Sequence, residues 1–154
     1  MTELFQDDEY DRRFAGVAKI YSEDTFSHYE KSHVMVIGIG GVGSWAVEAL
    51  ARTGVGELTL IDMDVVAASN INRQLPAMSS TLGMDKIEVM AERCRSINPR
   101  IKINLIDDYL TPENVKELLA EAPDLILDCI DDVKAKLALM LHCRFNKIPL
   151  IVSG

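Results

Sequence analysis

Residues 33–44, HVMVIGIGGVGS, run from consecutive apolar positions directly into four glycines, Gly38, Gly40, Gly41 and Gly43. A segment apolar on successive positions reads as a parallel strand buried on both faces. Glycines placed directly after it let the backbone turn tightly and approach phosphate at a helix start. The following residues, SWAVEALARTG, place Trp45, Val47, Ala49 and Leu50 on a helix that Gly54 closes as a C-cap. A buried strand, a glycine turn and a helix form the first unit of a doubly wound sheet.

The rest of the chain repeats that unit. Strands are expected over 57–62, 101–106, 124–130 and 149–153, and helices over 84–97, from Thr111 to about Glu121, and over 132–146. Pro99 stops the first of these helices, and Thr111 with Pro112 gives the N-cap and first-turn signal of the second. The predicted class is α/β, a doubly wound, mostly parallel, Rossmann-like sheet with its ligand crevice at the carboxyl ends of the strands. Residues 1–31, polar and helical in character, are read as an N-terminal arm, and residues 32–154 as the domain.

Composition removes several classes. With 48% apolar and 26% charged residues in 154, the chain can bury a core without staples. Its apolar segments are of strand length, well below the ~20 residues that a bilayer crossing needs. The acidic first residues lack the apolar centre of a secretory signal. Cys94, Cys129 and Cys143 form no CxxC pair, which argues against a disulfide framework or a complete zinc site and fits a reducing cytoplasm. A net charge of −8 disfavours non-specific nucleic-acid binding, and Arg93, Arg95, Arg100 and Lys102 make the most basic local cluster.

Polar residues concentrate where this topology puts its crevice. Asp62 and Asp64 follow the second strand, Asp128 and Asp131 the fourth, and NINRQ (70–74) and Lys86 lie in the intervening loop and helix start. Carboxylates there can hold ribose hydroxyls, while Arg73 and Lys86 can neutralise a triphosphate under attack at its α-phosphorus. The glycines with Asp62, about 20 residues on, also match a nicotinamide dinucleotide fingerprint, so a hydride-transfer enzyme is a second reading. That reading leaves Arg73, Lys86 and Asp131 without a task. A nucleotide-binding or dimerisation module without turnover is a third.

The run GIGGVGSWAVEALARTGVGELTLIDMD, then NINRQ, GMDK (83–86) and LDCID (127–131), resembles the ubiquitin-activating superfamily of ATP-dependent adenylating enzymes, which includes the sulfur-carrier activators. The Ser44-Trp45 pair and RRFAGVAKIY (12–21) resemble most its tRNA threonylcarbamoyladenosine dehydratase branch. The resemblance implies that Gly38, Gly40, Gly41 and Gly43 lie under the ATP phosphates and Asp62 on the ribose. It also implies that Asn70, Arg73 and Gln74 form the nucleotide loop, Lys86 meets the phosphates and Asp131 holds Mg²⁺. Arg13 matches an arginine that reaches the neighbouring subunit's ATP site, which implies a homodimer. The implied reaction is attack of a carboxylate on ATP, the carboxylate belonging to modified tRNA or to the C-terminal glycine of a ubiquitin-like carrier. Relatives continue beyond the position of Gly154, so a longer protein is expected.

Overall fold

The computed structural model describes residues 2–153. Two helices, α1 (Thr2–Tyr21) and α2 (Glu23–Lys31), precede β1 (His33–Ile37). Then follow α3 (Gly43–Thr53), β2 (Glu57–Ile61), α4 (Lys86–Ile97), β3 (Lys102–Ile106), α5 (Val115–Leu118), β4 (Leu125–Asp128), α6 (Val133–Asn146) and β5 (Leu150–Val152). All strands are parallel, in the order β3-β2-β1-β4-β5. The chain therefore winds outward from β1 to β3, returns, and winds the other way through β4 and β5. Its switch point lies between β1 and β4, where open α/β sheets bind ligands.

Alternation along the strands feeds two cores. Val34, Val36, Leu58 and Leu60 pack with Val47, Ala51, Ile87, Met90 and Cys94 under α3 and α4. Met35, Ile37, Ile61 and Ile126 face Ala135, Leu139 and Cys143 of α6, Val115 of α5 and Leu110 before it. Each fully buried aliphatic side chain contributes about 1.5–3 kcal/mol, so the central strands anchor everything attached to their ends. Near the β3 edge the pattern turns polar: Asn104 donates to Glu57 at 2.7 Å and Thr59 at 3.2 Å, and Lys102 pairs with Glu57 at 2.8 Å.

The N-terminal helices dock on the helices that cover this sheet, α1 against α3 and, through Arg13, the end of α4. Ser22 interrupts them with φ 82, and Tyr10 and Phe14 are buried. Phe14 stacks on Phe26 at 5.8 Å, and both rings meet the C-cap of α3 at Gly54 (φ 90), where a Cβ would lie 2.6 Å from Phe26 Cε2. Among the described residues no helix is long and apolar enough to cross a membrane.

The strands expected over 124–130 and 149–153 shorten to β4 and β5, and two expected helices are shorter as well. The helix expected from Thr111 to about Glu121 contracts to α5, while Thr111 still caps the segment: Asn114 Oδ1 accepts from Thr111 N at 2.8 Å and Thr111 Oγ1 accepts from Asn114 N at 3.3 Å. That reciprocal pair closes the turn ahead of the helix. The helix expected from Met84 begins at Lys86, since Lys86 N donates to Asp64 O and Val65 bridges Asp85.

Candidate functional site

The glycine turn is shaped by close backbone contacts. Gly38 has φ +88, and a Cβ there would lie 2.8 Å from Cys129 O; at Gly43 it would lie 1.7 Å from Gly38 O. These two positions close the turn against itself and against the end of β4. Gly40 and Gly41 are different: a Cβ would meet only Gln74 Nε2 at 3.8 Å and Arg73 Cγ at 3.5 Å. The open side of the turn therefore faces residues 73–74, and no side chain caps α3. Uncapped helix starts attract anions.

Past β2, Asp62 Oδ2 accepts from Ile39 N at 2.6 Å and its Oδ1 from Asp64 N at 2.8 Å. Those bonds fix the carboxylate against the glycine turn while leaving lone pairs for a ligand hydroxyl. Asp64 Oδ2 receives the ammonium of buried Lys86 at 2.8 Å, and its Oδ1 receives the Tyr109 hydroxyl. Both bonds, that from Lys86 first, hold the Asp64 carboxyl below the usual range.

The loop 70–74 is braced. Asn70 Oδ1 accepts from Ala67 N at 3.0 Å, Asn70 O accepts from the amides of Arg73 and Gln74, and the Arg73 guanidinium donates to Ser69 O and Asn72 Oδ1 at 2.9 Å each. Gln74 is buried, and among the described residues its Oε1 has no partner. A buried acceptor without a donor marks a place for a ligand or water.

Asp131, after β4, accepts no hydrogen bond and makes no ion pair among the described residues. Asp128, expected on the same rim, is instead fully buried: its Oδ2 lies 3.0 Å from Lys136 Nζ, whose protons point at Ile130 O and Ser153 O. As the last residue of β4 it turns inward and ties that strand's end to α6. Cys129 is half-buried at the pocket wall, and burial raises its thiol pKa, so it is a poor thiolate source.

These groups surround one cavity of ≈ 880 Å³, lined among others by Gly41, Asp62, Arg73, Gln74, Lys86 and Asp131. Its size suits a nucleotide. Asp64 and Asn70 line it too, as does Tyr109, which the sequence reading passed over. Tyr109 follows β3, and the strand-end rule that selected the aspartates would have selected it. Arg13 is elsewhere: it donates to Ser96 O at 2.9 Å and Ile97 O at 3.0 Å, at the opposite end of α4 from Lys86. Three members of the basic cluster are occupied within the chain, Arg93 by Glu48, Lys102 by Glu57 and Arg100 over the Tyr10 ring.

Comparison with known proteins follows the same residues. Residues 10–154 match the ThiF family. The chain is 51% identical over 154 residues to a Haemophilus influenzae tRNA threonylcarbamoyladenosine dehydratase, covering 100% of this chain and 59% of that protein. It is 35% identical over 153 residues to a molybdopterin-synthase adenylyltransferase of the same organism, covering 98% of this chain and 62% of the other. The crystal structure of the E. coli dehydratase TcdA in complex with ATP superposes with a TM-score of 0.94 at 48% identity, over 96% of this chain and 60% of that one. The chain thus spans about three-fifths of the length of these relatives. With the glycine turn, the braced loop and the parallel sheet all falling inside the matched region, the chain belongs to the ThiF family.

Proposed function

We propose that this chain is the ATP-binding part of an enzyme that adenylates a substrate carboxylate. The observation that carries this reading is the convergence of Arg73 and Lys86 on the cavity that also holds Gly41 and Asp62. A carboxylate oxygen attacks the α-phosphorus, and pyrophosphate leaves as the acyl-adenylate forms. No protein nucleophile is required. The chain's task is to orient two anions that repel each other and to neutralise the developing charge, with Arg73 and Lys86 as the cations. Asp62 would hold the ribose, and Asn70, Gln74 and the glycine turn would frame the rest of the nucleotide.

Asp131 suits Mg²⁺ because its carboxylate is uncommitted and lines the cavity. From this chain an ion would take the Asp131 carboxylate, an oxygen donor of the kind Mg²⁺ prefers. When bound, the ion would offset phosphate charge. Arg13, away from its own cavity, would serve a second copy of the chain in a homodimer. Three free cysteines accord with a reducing, cytoplasmic setting.

The acceptor we favour is the carboxylate of threonylcarbamoyladenosine in tRNA, because identity is 51% to a dehydratase and 35% to a molybdopterin-synthase adenylyltransferase. An internal nitrogen of the modification would then attack the activated carbonyl carbon and displace AMP, closing a ring with net loss of water. The C-terminal glycine of a ubiquitin-like carrier is the second candidate. In the full-length protein, Arg73→Ala and Lys86→Ala should each lower ATP–pyrophosphate exchange by at least about a hundredfold. Unchanged exchange in both would overturn the proposal, and offering modified tRNA beside a diglycine-ended carrier identifies the acceptor.

A further inference from the structure

The Ser44-Trp45 pair, which the reading of the site leaves without a task, lies where α3 meets the loop 70–75. Trp45 Nε1 donates to Arg73 O at 3.1 Å, and Leu75 N donates to Ser44 Oγ at 3.2 Å, while Ser44 Oγ itself donates to Gly40 O at 2.6 Å. Two adjacent side chains thus bind the loop on either side of Gln74 and join it to the glycine turn. We infer that Trp45 is a positioning residue for Arg73: its indole N–H fixes the Arg73 backbone over Gly41, so that only the side chain need swing to meet phosphate.

The geometry around Arg73 supports that assignment. Arg73 N donates to Asn70 O at 3.1 Å, so with Trp45 on its carbonyl both backbone polar groups of the residue are held. The stem of the side chain already crosses the turn, with Cγ 3.5 Å from where a Gly41 Cβ would stand. Only the guanidinium is turned aside, onto two neutral oxygens, Ser69 O and Asn72 Oδ1. Exchanging neutral acceptors for a charged phosphate strengthens its bonds, and the exchange needs no loop movement while the carbonyl stays tied. Trp45 is 55% exposed, so its ring adds little to the core. A ring that was there only for packing would not leave more than half of its surface in solvent and spend its one donor on this carbonyl.

This inference rests on the nucleotide reading of the cavity, and the test separates the two. Trp45→Phe keeps an aromatic ring and removes the donor. MgATP and adenosine are titrated by calorimetry into the chain and into the variant, with the thermal midpoint recorded for both. The expected result is a MgATP dissociation constant raised about three- to tenfold, the equivalent of one neutral hydrogen bond, with adenosine binding and the midpoint unchanged. Equal weakening of MgATP and adenosine would assign Trp45 a general structural role and overturn the inference. Unchanged MgATP binding would overturn it as well. A second readout needs no nucleotide: amide hydrogen exchange at Arg73, Gln74 and Leu75 should speed up in the variant while β1 and β2 keep their protection, and unaltered exchange there refutes the tie. Failure of the parent chain to bind MgATP would instead count against the nucleotide reading, leaving the exchange result to judge Trp45.

Discussion

Lys86 donates to Asp64 Oδ2 at 2.8 Å in a pair of unequal surroundings: the lysine side chain is 5% exposed and the aspartate 49%. The ammonium lies inside the wall of the cavity, and its counter-ion sits at the mouth. Solvent screens the carboxylate, so the pair adds little to stability by itself. Removing it strands a buried cation, which is the larger cost.

Asp64→Asn should therefore destabilise the chain by about 1–3 kcal/mol, a buried cation's penalty reduced for the half-exposed partner. MgATP should restore much of that loss, because phosphate oxygens can replace the carboxylate beside Lys86. The expected outcome is a larger MgATP-induced rise in thermal midpoint for the variant than for the parent at one shared MgATP concentration, because the variant then binds MgATP more tightly. Equal rises would mean that Lys86 does not meet phosphate. Nicotinamide dinucleotide, which the competing hydride-transfer reading requires, should give the parent a smaller rise than MgATP.

The four glycines of the turn should separate by experiment. At Gly43 a Cβ would lie 1.7 Å from a backbone oxygen, an overlap that no rotamer relieves. Gly43→Ala should cost more than about 3 kcal/mol or prevent folding, as over-packing against backbone does. At Gly41 the added methyl has ordinary contact, 3.5 Å from Arg73 Cγ, so Gly41→Ala should keep its thermal midpoint within about 2 °C. It should nonetheless weaken MgATP at least about tenfold by standing between Arg73 and the phosphates. Circular dichroism melts paired with nucleotide titration check both, and an intact Gly43→Ala fold would contradict the turn geometry.

Most of the architecture was legible because its signals were local. Consecutive apolar residues over 34–37 specify a strand buried on both faces, and the glycines after Ile37 favour a tight turn. Asp62 was recognisable because its position after β2 alone brings it to Ile39 N, 23 residues earlier in the chain. Long-range pairing was not legible. Asp128 looked like Asp62 in sequence, yet Lys136 draws it inward, and only packing of α6 on the sheet decides that. Arg93, Arg100 and Lys102 stood out in sequence only as a basic local cluster, because their partners Glu48, Tyr10 and Glu57 lie far away in the chain. The Trp45 bond to Arg73 O is hidden for the same reason, since the two residues lie 28 positions apart with a strand between them.

Glu48 offers a test of the scaffold beneath the site. It is buried in α3 and receives Arg93 of α4 at 2.5 Å and Arg52 at 2.7 Å, locking together the two helices whose first turns carry Trp45 and Lys86. Its carboxyl is held below the ordinary value of 4.5, chiefly by the Arg93 hydrogen bond. A carboxyl depressed in the folded state contributes stability that is present above the unfolded pKa and is lost as pH falls through the folded one. Glu48→Gln should thus cost about 1–2 kcal/mol at pH 7, the loss of charge-assisted hydrogen bonds. The difference should shrink as both proteins are taken below about pH 4, where the parent loses its advantage by protonation. Urea unfolding midpoints at pH 7, 5, 4 and 3 measure this, and a difference that stays constant across the series would place the arginines' contribution elsewhere than on Glu48.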